Sequence, residues 1–337
     1  YFLSLESYTT VLFLSLFIGI IFLIIGRKKT KKIEFVDQIL LIILVYITSS
    51  IFISLPFYLS NYQIPFINSL FESVSGITGT GFTIFDNIKY LDPTLIFWRS
   101  ISQWVGGLYF LIFLVIFFSN NQYNFKLNNL VYIRDKNINQ EINIKKNVTE
   151  VFSLYIIFSA IIFSLFSIAD IRLFNSLNLA MTIISAGGFI PTDNLQQIIK
   201  TNTQEIFLII SFLITTLNIF FFYNIFTKRN FLKTHYEDLT LLSLIIFLGL
   251  SLYFILKEFS LLQIFISVLS SLSTSGISVI TIDNKYTLFF LFLSIIGGSI
   301  VSNTSGIKFI RFFILLKSSL IEIFKLVKPN NIINQIG

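Results

Sequence analysis

Three short stretches of this sequence set glycine among serine and threonine at the end of an apolar run. They read FESVSGITGTGFTIFDN from Phe71 to Asn87, LAMTIISAGGFIPTDN from Leu179 to Asn194 and FISVLSSLSTSGISVITIDN from Phe265 to Asn284. Gly81, Gly188 and Gly276 occupy matched positions, 107 and 88 residues apart. Such loops offer uncharged oxygens, from backbone carbonyls and hydroxyls, that can replace the water around a cation and still let it leave. Turning successive carbonyls toward one axis asks some residues for positive φ, which glycine adopts without strain.

The elements that must position these loops follow from composition. Of 337 residues, 55% are hydrophobic and 12% charged, with a mean hydropathy of +0.83. Soluble domains carry about twice that charge, so the chain reads as an all-α polytopic membrane protein. About 20 apolar residues are needed to cross the hydrocarbon, and seven stretches qualify: 8–26, 36–60, 94–119, 150–169, 204–227, 239–256 and an interrupted 287–326. Three more, 66–77, 172–184 and 260–273, are too short to cross and end in the glycine loops. They read as re-entrant half-helices, giving a unit of span, half-helix and span that occurs three times. Non-helical backbone at membrane depth is tolerated where it lines a water-filled path, so three such loops point to a pore. Half-helices entering from outside would aim their negative C-terminal ends at its centre, which favours a cation.

Orientation follows from Lys and Arg, which gather on the cytoplasmic side. With the short segments re-entrant, 27–35, 120–149, 228–238 and the region after 307 lie inside and hold 18 of the 24 basic residues. The net charge of +7 therefore reflects membrane topology rather than nucleic-acid binding. Organisation reads as an N-terminal helix with a basic inner loop (1–32), a first repeat (33–119), a cytoplasmic linker (120–149), a second repeat (150–227), a third (228–326) and the start of a further linker (327–337).

The loops ITGTGFT, SAGGF and STSGIS resemble those of the TrkH/KtrB superfamily of potassium transporters, as do SLPFYLS from Ser54, FWRSISQWVGGLYFLIF from Phe97 and IIGGSIVSNTSGIKFIRFFILL from Ile295. The resemblance runs over nearly the whole chain. It implies potassium-channel-like M1–P–M2 units around a pseudo-fourfold pore, of which three are present. The resemblance lacks the family's fourth unit and the first helix of its N-terminal pair. It implies K⁺ uptake across the cell inner membrane through a filter at Thr78, Thr80, Gly81, Ser185, Ala186, Gly187, Gly188, Thr274, Ser275 and Gly276. It implies a gating loop at Gly297, Gly298, Ser302, Asn303, Thr304, Ser305, Gly306 and Lys308. It also implies a homodimer and a cytosolic nucleotide-binding ring protein, like TrkA or KtrA, as regulator. No cofactor is expected in the chain itself, K⁺ being the cargo. Ser275 and Ile277 depart from the Thr and Phe usual in the third filter, and the gating loop is bulkier than is usual.

Read from its residues alone, 297–308 holds two adjacent glycines, several hydroxyls, Asn303 and Gly306 inside a stretch that must otherwise cross, which suits a hinge or barrier under the pore. Lys308 there either lies near the ion path or snorkels to the inner interface. Glu72 either braces the first loop from behind or sits at an interface. Asp86, Asp193 and Asp283 either concentrate cations at the mouth or cap turns beside an asparagine. Arg99 and Trp104 read as interface and packing residues, and His235 as solvated. The basic stretch 120–149 reads as a solvated connection near anionic lipid, or with the tail 317–337 as a regulator's docking surface.

Zero cysteines exclude a disulfide framework and a thiolate zinc site, and a single histidine argues against a histidine metal centre or a Ser/His relay. An intramembrane protease would need paired acids, or a base near its serine, in the spans, which hold almost no acids. No phosphate-binding loop with Lys-Ser/Thr occurs. The alternatives to a transporter are a non-conducting structural or assembly subunit and, less favoured, an intramembrane enzyme.

Overall fold

The computed structural model describes residues 2–27, 35–118, 140–227, 235–280 and 284–327. Asp283, the tail 328–337 and most of the basic stretches between spans lie outside them. Twelve α-helices are formed there: α1 (Phe2–Gly26), α2 (Phe35–Tyr58), α3 (Phe66–Ile77), α4 (Pro93–Phe118), α5 (Gln140–Ile168), α6 (Leu173–Ile184), α7 (Asn202–Thr216), α8 (Ile219–Thr227), α9 (Tyr236–Ile255), α10 (Leu261–Leu272), α11 (Asn284–Ile295) and α12 (Phe309–Val327). No strand occurs among the described residues; a single bridge joins Ile296 and Ile307.

Five helices, α1, α2, α4, α5 and α9, are long and apolar enough to cross a membrane. The short helices α3, α6 and α10 are 12 residues each, about 18 Å at 1.5 Å per residue and so well short of the hydrocarbon thickness. They pack inside the long ones: α3 between α2 and α4, α6 against α4, α5 and α7, and α10 against α7, α9 and α11. Among their buried residues are polar ones, Ser69, Glu72, Ser73 and Ser75 on α3, Ser176, Asn178 and Thr182 on α6, and Ser267 and Ser270 on α10, the last two helices burying Leu, Ile and Val beside them. The long helices turn Leu, Ile and Phe outward, as α1 does along nearly all its length. Lipid solvates those side chains, and polar groups are retained only where protein surrounds them.

Two spans differ from expectation. The stretch 204–227 is not straight: α7 and α8 meet at 104°, at an elbow around Leu217 and Asn218. Hydropathy cannot see this bend, because the backbone groups it frees are satisfied by other elements, as described below. The stretch 140–149, expected within a solvated connection, forms the first turns of α5. The last span is interrupted as expected, with residues 296–308 separating α11 from α12.

Candidate ion-binding loops and the intramembrane loop

Each short helix ends in the same way. The C-cap residues are Thr78, Ser185 and Ser273, and the next residue in each case turns left-handed: Gly79 at φ 69°, Ala186 at 55° and Thr274 at 59°. Two backbone bonds close each turn. Gly79 N donates to Gly76 O and Thr80 N to Ser75 O, both at 3.0 Å; Ala186 N to Ile183 O and Gly187 N to Thr182 O, both at 2.9 Å; Thr274 N to Ser271 O at 3.0 Å and Ser275 N to Ser270 O at 3.2 Å. This is a Schellman ending made three times. Only the first uses glycine at this capping position; beyond it glycine supplies a positive φ, as expected, at Gly81 (82°) and Gly276 (65°), whereas in the second loop the left-handed residue is Ala186. The strain at Ala186 and Thr274 is held by the paired bonds around them.

Beyond these turns the chain runs back along its own helix. Ser75 Oγ donates to Phe82 O at 2.5 Å and Thr182 Oγ1 to Phe189 O at 2.7 Å. In the third loop the corresponding Ser270 hydroxyl pairs instead with Ser275 Oγ at 3.4 Å. Among the described residues no hydrogen bond reaches the main-chain carbonyls of 78–81, 185–188 or 274–276. The helix-end carbonyls are satisfied by the Schellman bonds, and those of the expected ion-binding residues are left free to accept from another source.

The three loops meet. A Cβ built on Gly81 would lie 2.9 Å from Gly188 Cα, and one on Gly188 would lie 2.9 Å from Ser275 O. The second loop is thus the middle one, and Ser185, Ala186 and Gly187 are buried there. Thr78, Thr80 and Gly276 are exposed. Three helix C-termini therefore end around one point, each carrying partial negative charge.

Side chains behind the loops fix this arrangement. Glu72, fully buried, accepts from Thr83 Oγ1 and from Ile84 N, both at 2.9 Å, and pairs with Arg99 Nε at 2.8 Å. The Arg99 guanidinium lies 4.2 Å from the Phe189 ring centre and 5.6 Å from that of Phe85. One turn later on α4, Gln103 Oε1 accepts from Phe189 N at 3.2 Å. Of the two readings of Glu72, the brace is the one formed. Arg99 is not an interface residue but a buried tie between the first and second loops. Trp104 packs as expected, its Nε1 on Ser159 Oγ at 3.0 Å. Asp193 accepts from Ile88 N at 2.6 Å, which makes it a cap that joins the first and second loop regions.

The intramembrane loop 296–308 is bonded on all sides. Gly297 N donates to Ile307 O and Ile307 N to Ile295 O, both at 2.8 Å, closing its neck. Asn303 Nδ2 donates to Ile184 O, the last carbonyl of α6, at 2.6 Å. Ser305 N donates to Thr274 Oγ1 at 3.1 Å, and the two hydroxyls lie 2.7 Å apart. The loop thus lies against the ends of α6 and α10, directly at the candidate ion-binding loops. Gly298, Ser302 and Thr304 are buried inside it, and Gly306 turns at φ 77°. Lys308 does not snorkel. Its Nζ donates to Ser302 O at 2.9 Å and Thr304 O at 2.6 Å, with the Phe110 ring centre 5.4 Å away.

His235 also departs from expectation. It is buried, with Nδ1 2.7 Å from Asp238 Oδ2 and Nε2 2.9 Å from Asn224 Nδ2. Its surroundings come from α8 and α9, which the local sequence of a basic stretch does not reveal. Among the described residues no group of three or more His, Cys, Asp and Glu could hold a metal ion.

No family model matches the sequence. An uncharacterized cation transporter of Methanocaldococcus jannaschii is 24% identical over 97% of this chain and 68% of its own length. The Trk system potassium uptake protein TrkH of Salmonella typhimurium is 24% identical over 96% of the chain and 71% of its own. The crystal structure of the potassium transporter TrkH from Vibrio parahaemolyticus superposes with a TM-score of 0.80 over 97% of this chain and 70% of that one, at 20% identity. The chain is TrkH-like along nearly its whole length and has the TrkH fold.

Proposed function

We propose that the chain forms part of a K⁺ uptake pathway, conducting the ion inward down its electrochemical gradient, and is a transporter rather than an enzyme. The observation that carries this reading is the meeting of three Schellman-ended helices at Gly81, Gly188 and Ser275, with the adjoining carbonyls unbonded. Free carbonyls can take the place of the ion's hydration shell, and three negative helix ends add a field that favours a cation. Thr78, Thr80, Ser185, Ala186, Gly187, Thr274 and Gly276 complete the set of candidate ligands. The loop 296–308, tied to the ends of α6 and α10, is the barrier that must move for the ion to pass. The names of the relatives and the shared fold support potassium as the cargo.

In the complete protein the glycine loops face outward and the basic stretches inward across the cell inner membrane. A homodimer and a cytosolic nucleotide-binding regulator are the expected assembly. The full reading frame, in proteoliposomes, is the material for the test, with ⁸⁶Rb⁺ as the tracer. Wild type is expected to take up Rb⁺. Gly188→Ala, which pushes a methyl group between the first and third loops, should cut that flux at least tenfold while the protein still elutes as the wild-type assembly. Unchanged flux and unchanged K⁺ over Na⁺ preference in Gly188→Ala would overturn the assignment of the loops. No flux from wild type in any assembly would favour a structural subunit.

A further inference from the structure

The first turn of α9 holds two carboxylates that reach away from their own helix. Acidic residues at a helix N-terminus ordinarily serve that helix, by capping or by meeting its positive end. Here Glu237 Oε1 accepts from Ile300 N at 3.1 Å, a backbone donor of the intramembrane loop. Asp238 Oδ1 accepts from Asn218 N at 2.9 Å, a donor freed by the elbow between α7 and α8. The same elbow holds the loop directly, because Ser299 N donates to Thr216 O and Ile219 N to Val301 O, both at 2.9 Å. His235 and Asn224 close the arrangement on the far side of Asp238. Glu237, Asp238 and His235 are all buried.

The loop is therefore bonded on one side to the ends of α6 and α10 and on the other to a base made of the elbow and α9. The bonds to the elbow join backbone to backbone, whereas Glu237 contributes a carboxyl oxygen on a side chain. At a buried position such a bond is electrostatically stronger than it is in water. Its loss leaves Ile300 N unpaired at a buried position, which biases the loop toward any arrangement that pairs it again.

We propose that Glu237 is a positioning residue that latches the intramembrane loop in its blocking position, with Asp238 and His235 fixing the latch to the α7–α8 elbow. This rests on the reading of the loop as the barrier. Releasing the latch raises the population of the displaced loop and so the resting flux, without touching the ion-binding loops. A residue that only supported the fold would lower flux together with assembly.

The test uses the full-length protein in proteoliposomes, with initial ⁸⁶Rb⁺ flux, its concentration dependence and K⁺ over Na⁺ preference as readouts. Glu237→Leu removes the acceptor and is expected to raise resting flux at least fivefold, with half-saturation and ion preference unchanged. Glu237→Gln leaves a single amide oxygen to accept from Ile300 N, in competition with its own NH2 group, and should raise it about two- to threefold; this milder variant carries the test if the leucine variant fails to assemble. Gly298→Ala supplies the separate check on the barrier itself, since its Cβ would lie 2.2 Å from Thr216 O and must lift the loop from the elbow independently of Glu237. Raised flux in Gly298→Ala with wild-type flux in both Glu237 variants would overturn the latch and leave the barrier standing. Unchanged flux in all three would overturn the barrier. A change in ion preference in the Glu237 variants would also overturn the latch, because it would place Glu237 at the ion.

Discussion

Replacing Arg99 with methionine is expected to cost about 3–5 kcal/mol of stability, because it leaves the Glu72 carboxylate buried without its counter-charge. The two side chains are 1% and 0% exposed, and their 2.8 Å contact lies behind the first loop. The carboxylate would keep its bonds from Thr83 and Ile84, so the loss falls short of that for an unaccompanied charge. Arg99 also covers the Phe189 ring, and a thioether in that place retains part of the packing but none of the cation–π attraction. Removing both charges together, in Arg99→Met with Glu72→Gln, should recover more than half of the lost stability, since no unpaired charge then remains. Thermal melting of the detergent-purified protein, followed by the fraction that remains in its assembled form, measures both. A single mutant that melts with the wild type, or a double mutant no more stable than the single, would show that the pair is not desolvated. The double mutant, though stable, should still lose selectivity, because Glu72 holds the outgoing limb of the first loop and Arg99 joins it to the second.

The second large effect is expected at Gly106. A Cβ there would lie 1.9 Å from Ile77 O and 2.6 Å from Ile77 C, at the end of α3. The obstacle is backbone on both sides, so no rotamer change relieves it and α4 must retreat from the short helix it supports. Overpacking of this kind costs about 1–3 kcal/mol and at times more, and here the upper end applies. Gly106→Ala should give little assembled protein on extraction. Gly19→Ala is the matched control, because nothing lies within 4 Å of its Cβ. Alanine in the middle of α1 should be neutral or stabilising by about 0.5–1 kcal/mol, from the conformational freedom glycine loses in a helix. Equal yields of the two variants would mean that α4 does not approach α3 as closely as described.

The sequence by itself determined most of what depends on length and hydropathy. The three half-helices were legible almost to the residue, since 66–77, 172–184 and 260–273 correspond to α3, α6 and α10. An apolar run too short to cross a bilayer, ending in glycine and hydroxyl residues, has few other solutions in hydrocarbon. The break in the last span was legible for the same reason. The likeness between the three loops also survives, although their shared feature is the helix ending rather than the glycine. A left-handed residue is held there by two backbone bonds, which Ala186 and Thr274 can make as well as Gly79.

What the sequence could not determine are the partners of polar groups inside the membrane. Arg99 stands 27 residues from Glu72, and Glu237 stands 63 residues from Ile300. Nothing in the local pattern distinguishes a buried arginine from one at the interface, or a histidine at the end of a basic stretch from a solvated one. The elbow at Asn218 has no helix breaker of its own; Asp238 and Val301 pair the backbone groups that the bend releases. In lipid each polar group must find its partner within the protein, and which one it finds is decided only when distant segments pack together.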